Sequence, residues 1–337
     1  MRLHGRWNVA DSPRKDNCRK MEKIELEHIT YIYGEGTPFE QVALNDVSIA
    51  IRENRITGVI GHTGSGKSTM MQLLNGLAKP TKGKIYLDGY DINTEAKDVL
   101  DTWRNLPEYA GLSRRKAGKA IREEILRRRR RLCFRVGLVM QYPEYQLFEE
   151  TARKDIAYGP TNMGLEPEEI AKRVAEAAEW CGVAPDLLDR SPFDLSGGQK
   201  RRIAIAGVVA MRPEVLILDE PAAGLDPQGR EQIFDGIRTY REKTGSTVVI
   251  VSHSMEDMAQ YCDDVVVLAN AKVILQGDRE EVFSHGDRLT ENGLDIPQIT
   301  RLIGILRSQG YDLPANIYTV DRACEVLRET MTGGRSE

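Results

Sequence analysis

The pattern of apolar and polar positions predicts strands and helices in alternation along most of the chain. Alternation from position 23 onward, with Ile24, Leu26 and Ile29 on one face, predicts a half-buried strand. Apolar runs at 136–140, 215–218 and 247–251 predict buried strands, the last two of the parallel-sheet type. Further strands are predicted at 47–51, 56–60 and 83–91 and in a closing hairpin at 264–276, and a helix at 67–77. This order of elements predicts an α/β fold.

The same pattern divides the chain into segments. These are a flexible extension (1–20), a main domain (21–286) with an arginine-rich insertion (94–135) and a mainly helical part (146–210), and a small C-terminal segment (287–337) with one or two weak helices. The second half of the insertion predicts a charged helix with Ser113 as its N-cap. Glu123 and Glu124 stand four residues before Arg127 and Arg128, a spacing that favours ion pairs along that helix.

Length, charge and composition limit the class of protein. The 337 residues carry 47 basic and 51 acidic side chains, a formal net charge of −4, and 41% of them are apolar. This composition is typical of a soluble globular protein, and the charge argues against one that coats nucleic acid non-specifically. No apolar run approaches the roughly 20 residues that span a bilayer, and the first twenty residues lack the apolar region of a secretory signal. Scattered cysteines indicate reduced thiols, as in the cytoplasm.

The strongest chemical signal is the stretch G-H-T-G-S-G-K-S-T at 61–69, which lies between a predicted strand and a predicted helix and fits the phosphate-loop pattern. Its glycines allow backbone N–H groups to turn around a phosphate, and the helix N-terminus adds the positive end of its dipole. Lys67 is suited to reach the β- and γ-phosphates, and Ser68 to offer its hydroxyl to Mg²⁺. We therefore expect the loop to bind a nucleotide through Gly61, His62, Thr63, Gly64, Ser65, Gly66, Lys67, Ser68 and Thr69.

Two acidic residues follow the buried run at 215–218. In V-L-I-L-D-E-P, Asp219 and Glu220 emerge where the strand ends, and open α/β sheets place their ligands at the carboxyl ends of strands. Asp219 is suited to hold Mg²⁺ through water, and Glu220 to polarise an attacking water molecule. Alone, such a pair is typical of a solvated strand end. Together with the phosphate loop it predicts nucleotide hydrolysis.

A third motif, L-S-G-G-Q-K-R-R at 195–202, opens another predicted helix. With this motif the sequence resembles the ATP-binding-cassette ATPases, in which L-S-G-G-Q is the signature. The order of phosphate loop, glutamine, signature, D-E-P, G-L-D and histidine matches that family. The resemblance implies that 21–286 is a nucleotide-binding domain. It implies an α/β P-loop NTPase core of the RecA-like type, with an antiparallel β subdomain, a helical signature subdomain and a small C-terminal extension.

The resemblance also implies roles for individual residues. In the family, the signature residues Ser196, Gly197, Gly198 and Gln199 belong to the site of ATP bound to the other subunit, where the serine and the glycine backbone contact the γ-phosphate. Asp226, in A-G-L-D, corresponds to the loop that links the two active sites of a dimer.

Further family positions lie at the ends of strands. Gln141 corresponds to a glutamine that senses Mg²⁺ and water, and His253 to a switch histidine that contacts the γ-phosphate. Tyr33 is the predicted aromatic that stacks on adenine, with Phe39 as the alternative. The implied catalytic residues are Glu220, His253, Gln141 and Lys67, and the implied metal ligands are Ser68, Gln141 and Asp219, with ATP and Mg²⁺ as cofactors.

Finer motifs resemble one branch of the family. The stretch Q-Y-P-E-Y-Q-L-F-E-E-T at 141–151 is similar to the ATPases of energy-coupling-factor importers, which take up vitamins and cobalt or nickel ions, and G-T-P-F-E at 36–40 is similar to the second of their two ATPases. The resemblance implies a peripheral ATPase at the cytoplasmic face of the cell membrane. Its implied partners are a second cassette ATPase, in a hetero- or homodimer, a transmembrane coupling subunit and a separate substrate-binding membrane subunit. The insertion at 94–135 departs from the family, whose connection there is short.

An alternative function is that of a soluble cassette ATPase acting on nucleic acid or ribosomes. Such proteins carry long coiled coils or two cassettes in one chain, whereas this sequence has one copy of each motif. The arginine run at 127–131 suggests a nucleic-acid patch, but it lacks interleaved aromatic residues. It therefore favours a solvated helix face or contact with anionic lipid headgroups. We expect a membrane importer and no nucleic-acid partner.

Overall fold

A computed structural model describes residues 22–103, 105–109 and 111–333, with the backbone alone for 331–333; the predicted extension at 1–20 lies outside them. The described residues form strands β1 (Glu22–Tyr33), β2 (Gln41–Arg52), β3 (Ile56–Gly61), β4 (Lys82–Leu87), β5 (Tyr90–Asp91), β6 (Val136–Val139), β7 (Val215–Asp219), β8 (Thr247–Val251), β9 (Asp264–Ala269) and β10 (Lys272–Asp278). Their helices are α1 (Lys67–Asn75), α2 (Ala96–Trp103), α3 (Arg114–Arg135), α4 (Ala152–Asn162), α5 (Pro167–Trp180), α6 (Gly197–Val209), α7 (Pro227–Thr244), α8 (Met255–Tyr261), α9 (Arg279–Ser284), α10 (Gly286–Glu291), α11 (Gln298–Ser308) and α12 (Val320–Gly333). None of these helices combines the length and the apolar character that crossing a bilayer requires.

The larger sheet has six strands in the order β10-β9-β3-β8-β7-β6. The strands from β9 to β6 run parallel, and β10 pairs antiparallel with β9, which confirms the closing hairpin. Every residue of β3 and β8 is buried, because helices cover one face of the larger sheet and α1 with the smaller sheet covers the other, and this explains the continuous apolar runs. The predicted α/β fold is confirmed. Because the strands are parallel, β3, β6, β7 and β8 end at the same edge.

The smaller sheet is antiparallel, in the order β2-β1-β4-β5. Its inner face and α1 share a core with the larger sheet, in which Ile24 and Leu44 pack with Met70 and Val59. This confirms the predicted antiparallel β subdomain. The packing fixes α1, and with it the loop at 61–66, against both sheets.

The predicted helical part contains α4, α5 and α6. Thr151 caps α4, since its hydroxyl accepts a hydrogen bond from the Lys154 amide. Ile156, Val174 and Ile203 are buried and belong to the same core as the strands of the larger sheet. The mainly helical pattern is confirmed, and it rests on this shared core.

The insertion consists of α2 and α3. Ser113 occupies the N-cap position of α3, but among the described residues its side chain accepts no capping hydrogen bond. Glu124 forms the expected ion pair with Arg128, at 3.0 Å. The expected pair of Glu123 with Arg127 is wrong: Arg127 lies 3.1 Å from Glu124 instead. Positions three and four apart are both neighbours on a helix, so one carboxylate holds both arginines.

The C-terminal segment is more extensive than the sequence pattern predicts. It holds α11, α12 and most of α10, and the expectation of one or two weak helices is wrong. Ile303, Leu313 and Ile317 form a small core of their own, so α11 and α12 stabilise each other. Leu289 and Leu294 instead pack into the main core beside the larger sheet.

Candidate nucleotide site

The carboxyl ends of four parallel strands open into one cleft of about 680 Å³. β3 ends at Gly61 and β7 at Asp219, while β6 and β8 lead to Gln141 and His253. All residues of the phosphate loop except the buried Ser65 line this cleft. The structure thus brings together the loop and every predicted catalytic residue.

The phosphate loop needs glycine for its conformation and for its close packing. Gly64 and Gly66 have φ values of +82° and +103°, in the left-handed region that favours glycine. A Cβ on Gly66 would lie 2.4 Å from the Ala43 carbonyl oxygen, too close for any other residue. Gly66 is also the N-cap of α1, and no described side chain caps this end. The first-turn amides are therefore available to a phosphate.

Lys67 holds its ammonium group at the base of the loop. Its Nζ donates to the carbonyl oxygens of Gly61 and His62, at 2.6 and 2.8 Å. Burial lowers the pKa of Lys67, against the opposing effect of the carboxylates of Glu220 and Asp219. The loop therefore places one cation opposite two acids in the same cleft.

The two acidic residues have different surroundings. Burial, and then the charge of Glu220, raise the pKa of Asp219 to about 6, while Lys67 acts in the opposite direction. The carboxylate of Glu220 is held by three donors: Ser252 Oγ lies 3.1 Å from Oε2, and the His253 amide and ring Nδ1 lie 2.9 and 2.8 Å from Oε1. Glu220 is thus fixed in orientation by the residues that follow β8.

The backbone of Glu220 is strained. Its φ is +49°, in the left-handed region that a residue with a Cβ rarely adopts, and its amide donates to the Val251 carbonyl at 2.8 Å. Such conformations cost on the order of 1–3 kcal/mol and are concentrated at functional sites. Eight other described residues with a Cβ also have a positive φ, and of these nine only Glu220 lines the cleft.

Oxygen donors for Mg²⁺ lie in the same cleft. Ser68 offers a hydroxyl, Gln141 an amide oxygen and Asp219 a carboxylate, and all three line the cleft. Mg²⁺ prefers oxygen ligands and is bound in nucleotide sites through one or two carboxylates together with phosphates and water. The donor set therefore fits this metal.

The two candidates for adenine stacking are placed differently. Tyr33 lines the cleft, with 42% of its surface exposed, and its hydroxyl lies 3.0 Å from the Thr69 hydroxyl. Its ring packs edge-on against Tyr31. Phe39 is 88% exposed and does not line the cleft. The geometry therefore favours Tyr33.

The signature residues lie outside this cleft. Ser196 is the N-cap of α6 and forms a capping box with Gln199, in which each side chain bonds the other's backbone amide. Ser196 and Gly197 are exposed. Asp226 similarly caps α7, where it accepts a hydrogen bond from the Gly229 amide at 2.7 Å. Within one chain, Ser196, Gly197, Gly198, Gln199 and Asp226 do not meet the phosphate loop.

Sequence reasoning missed a buried arginine on the signature helix. Arg201 is 4% exposed, and its guanidinium donates to both carboxylate oxygens of Glu144, at 3.0 and 2.6 Å. It also donates to the Ala223 carbonyl and lies 5.8 Å from the centroid of the Tyr142 ring. One side chain therefore joins α6 to the segments that follow Gln141 and Glu220. The available signal was its position four residues before the buried Ile205.

A second group that was missed comes from the C-terminal segment. Gly293, Leu294 and Asp295 line the cleft, and His62 Nε2 lies 2.6 Å from the Asn292 carbonyl oxygen. A Cβ on Gly293 would meet the His62 ring at 3.4 Å. Gln41, Ala43 and Met255 also line the cleft without having been predicted. No local sequence signal marks these residues, because only the fold brings them to the loop.

Comparison with known proteins gives consistent results. The family model described as ABC transporter matches residues 44–223. The energy-coupling factor transporter ATP-binding protein EcfA2 of Caldanaerobacter subterraneus subsp. tengcongensis is 45% identical over 313 residues, which cover 93% of this chain and 99% of that protein. EcfA2 of Clostridium acetobutylicum is 47% identical over 307 residues, which cover 90% and 97%.

Solved structures share the fold. CbiO1 from Clostridium perfringens, part of the ABC transporter complex cbiONQ, has a TM-score of 0.63 and 34% identity, covering 85% of this chain and 100% of that one. The dimeric ATP-binding cassette MJ0796, bound to ADP and Pi, has a TM-score of 0.59 and 26% identity, covering 76% and 98%. The chain therefore belongs to the ABC transporter family, among the energy-coupling factor transporter ATP-binding proteins, and is an ATPase coupled to transport.

Proposed function

We propose that this chain powers a membrane importer of the energy-coupling-factor type, which takes up vitamins or cobalt or nickel ions. The observation that carries the proposal is the grouping of Lys67, Gln141, Glu220 and His253 around one cleft, while Ser196 lies outside it. This arrangement suits a site whose second half comes from a facing subunit. The EcfA2 relatives are transporter subunits, and cbiO1 is part of a transporter complex, which supports the same function.

Nucleotide binding in this proposal uses the loop and the first turn of α1. The phosphates lie against backbone amides, and Lys67 exchanges its bonds to the carbonyls of Gly61 and His62 for phosphate oxygens. Adenine stacks on Tyr33. Ser68, Gln141 and Asp219 would hold Mg²⁺, which when bound supplies positive charge opposite the phosphates.

Hydrolysis depends on Glu220. Its carboxylate orients the attacking water and draws off a proton, and the bonds from Ser252 and His253 keep it in one orientation. His253 Nδ1–H donates to Glu220, and in the doubly protonated ring Nε2–H would donate to the γ-phosphate. Positioning and charge together supply most of the stabilisation in phosphoryl transfer.

The proposed assembly places two cassettes face to face. Ser196 and the amides of Gly197 and Gly198 complete the site of the facing subunit, and Asp226 lies between the two sites. Closing and reopening of the dimer moves the Gln141 segment against a transmembrane coupling subunit. A separate membrane subunit binds the cargo, and this chain lies at the cytoplasmic face of the membrane.

Purification of the tagged full-length chain from its native membranes in mild detergent tests the proposal. We expect a second cassette ATPase and a transmembrane subunit to co-purify, and the complex in vesicles to hydrolyse ATP while taking up a vitamin or metal cargo. A matched Glu220→Gln complex should assemble the same partners without uptake. Recovery with ribosomes or nucleic acid, and without a transmembrane partner, would contradict it.

A further inference from the structure

The solvent face of α3 carries a straight row of basic side chains. Arg115, Lys119, Arg122 and Arg130 are all exposed and recur at spacings that keep them on one face of the helix. At 1.5 Å per residue this row, which we term the basic stripe, extends over roughly 22 Å. Leu126 lies on the same face, between two of these cations, and is 53% exposed. The insertion thus presents positive charge together with one apolar side chain.

The other side of α3 packs against α2 and the segment before it. Ile121 and Ile125 are buried against Trp103 of α2, and the Arg128 guanidinium lies 4.7 Å from the centroid of the Trp103 ring. Arg129 donates to the carbonyls of the segment that precedes α2, at 3.3 Å. The arginines of α3 therefore have two roles, because Arg128 and Arg129 anchor the helix while those of the stripe face solvent.

The cations of the stripe make little use of acidic partners in the part of the chain that the structure describes. Among the described residues, the guanidinium groups of Arg115, Arg122 and Arg130 form no ion pair, and Lys119 has one distant contact, 4.0 Å from Glu123. The whole chain has a formal net charge of −4, so the positive charge of the stripe is opposite in sign to the net charge of the protein. Local charge of this kind favours an anionic partner.

The shape and chemistry of the face distinguish between anionic partners. A row on one convex helix, about 22 Å long, fits a flat surface better than a groove that encloses a strand. α3 offers no fully exposed aromatic ring on which a base could stack, since its one aromatic residue, Phe134, is half-buried. An exposed leucine between cations suits the headgroup–acyl boundary of a bilayer and adds nothing to binding of a phosphate backbone.

We propose that the basic stripe binds anionic phospholipid headgroups, with the Leu126 side chain entering the interface. This goes beyond the proposed function, because it assigns the insertion a direct contact with lipid in addition to any contact with a transmembrane subunit. The cations act by charge and the leucine by burial of its side chain. The contact therefore weakens with salt and disappears on uncharged bilayers.

The test is co-sedimentation of the purified full-length chain with vesicles of phosphatidylcholine alone or mixed with phosphatidylglycerol. We expect binding only to the mixed vesicles. Each cation near such a surface changes affinity by roughly fivefold, so Arg115→Gln, Arg122→Gln and Arg130→Gln together should weaken binding about a hundredfold. The matched control neutralises three exposed cations elsewhere, by Lys172→Gln, Lys243→Gln and Arg307→Gln, and should bind like the parent.

A second variant reports on the apolar contact. The tryptophan emission that Leu126→Trp adds to that of the parent is obtained by subtraction. Its maximum should shift to shorter wavelength with the mixed vesicles and not with inorganic phosphate. Absence of the shift, equal loss of binding in the matched control, or tighter binding to duplex DNA or RNA than to mixed vesicles would overturn the proposal. ATP hydrolysis should be unchanged in the stripe variant. Since the vesicles contain no protein, failure here leaves the test of the proposed function intact.

Discussion

Two helices of this chain begin alike and differ in what surrounds their first turn. α1 follows the glycine loop and faces a cleft to which the same chain contributes Lys67, Asp219 and Glu220. α6 begins with the glycines of the signature and opens on solvent, with Ser196 and Gln199 bonding each other's backbone. Both present the amide-rich positive end of a helix, which attracts anions. Within the described residues, only the start of α1 is combined with groups that act on a bound phosphate.

The difference shows that backbone geometry alone does not make a catalytic site. The start of α6 has the amides, but it lies away from the chain's own Glu220 carboxylate. The start of α1 has the cation and the acids, and the signature residues of the same chain do not line its cleft. In the proposed dimer, two copies or two related chains facing each other would each supply the helix end that the other's cleft uses.

The largest effect should follow from removing the charge of Glu220. Glu220→Gln should keep ATP binding and lower hydrolysis by the assembled complex by about 10²–10⁴, the usual contribution of a positioned base. The exposed Glu242→Gln serves as the control and should turn over normally. Near-normal turnover of Glu220→Gln would show that the carboxylate is not the base. The start of α1 would then differ from the start of α6 only in binding.

The next effect concerns what holds the signature helix in place. Arg201→Met leaves the partly buried Glu144 carboxylate without its partner and should lower the free energy of unfolding in urea denaturation, by less than the roughly 3–5 kcal/mol of a fully buried pair. Adding Glu144→Leu should restore most of that stability, because an apolar pair can replace a buried ion pair.

Hydrolysis separates a positioning role from a purely structural one. If Arg201 positions α6 relative to Gln141 and Glu220, the double variant should remain slow in the assembled complex although it is stable. Full recovery of both turnover and stability would show that the Arg201–Glu144 pair contributes only to stability.

A direct test of the two helix ends uses one substitution in each. Lys67→Ala should weaken ATP binding by the isolated chain about 10–100-fold, because it removes a charge-assisted contact within one site. Ser196→Arg should leave that binding nearly unchanged and impair hydrolysis only in the assembled complex. Nucleotide titration and a turnover assay distinguish them. Loss of binding by a folded, isolated Ser196→Arg chain would show that the signature acts within its own chain.

The smallest expected effect is a dependence of stability on pH. Because the pKa of Asp219 is raised to about 6 in the fold, the native state holds a proton that the unfolded chain releases between about pH 4 and 6, and stability falls as pH rises through this range. Asp219→Asn should therefore be more stable by about 1–2 kcal/mol near pH 7, and less so near pH 4, in urea denaturation. The exposed Asp312→Asn should show no such difference.

Prediction from sequence succeeded where the signal is local. The phosphate loop, the acids after β7 and the apolar runs of β3 and β8 are each contained in a few consecutive residues, and the order of motifs gave the fold. Tyr33, the predicted adenine-stacking residue, ends β1 and lines the cleft, whereas Phe39 does not.

The parts that were not predicted depend on contacts between distant positions. Arg201 reaches Glu144 across 57 residues, and His62 reaches Asn292 across 230. In sequence, Arg201 is one of three consecutive cations, and only its place four residues before Ile205 separates it from its half-buried neighbours. Gly293 and Asp295 lie in a segment whose local helix propensity is limited, so its pattern predicts only weak helices. Packing on the main core orders this part of the segment, and that contribution is not visible in the local sequence.

At Glu220, the residue type that the proposed chemistry needs is not the one that its left-handed backbone favours. A φ of +49° is natural for glycine and strained for glutamate, so Glu220→Gly would relieve the backbone while removing the proposed base. Selection for stability alone would replace this residue. In a related chain that is no longer selected for ATP hydrolysis, we expect the carboxylate to be lost early and the stability to rise. A glycine at this position in a related chain would therefore indicate a cassette that keeps the fold and no longer hydrolyses ATP.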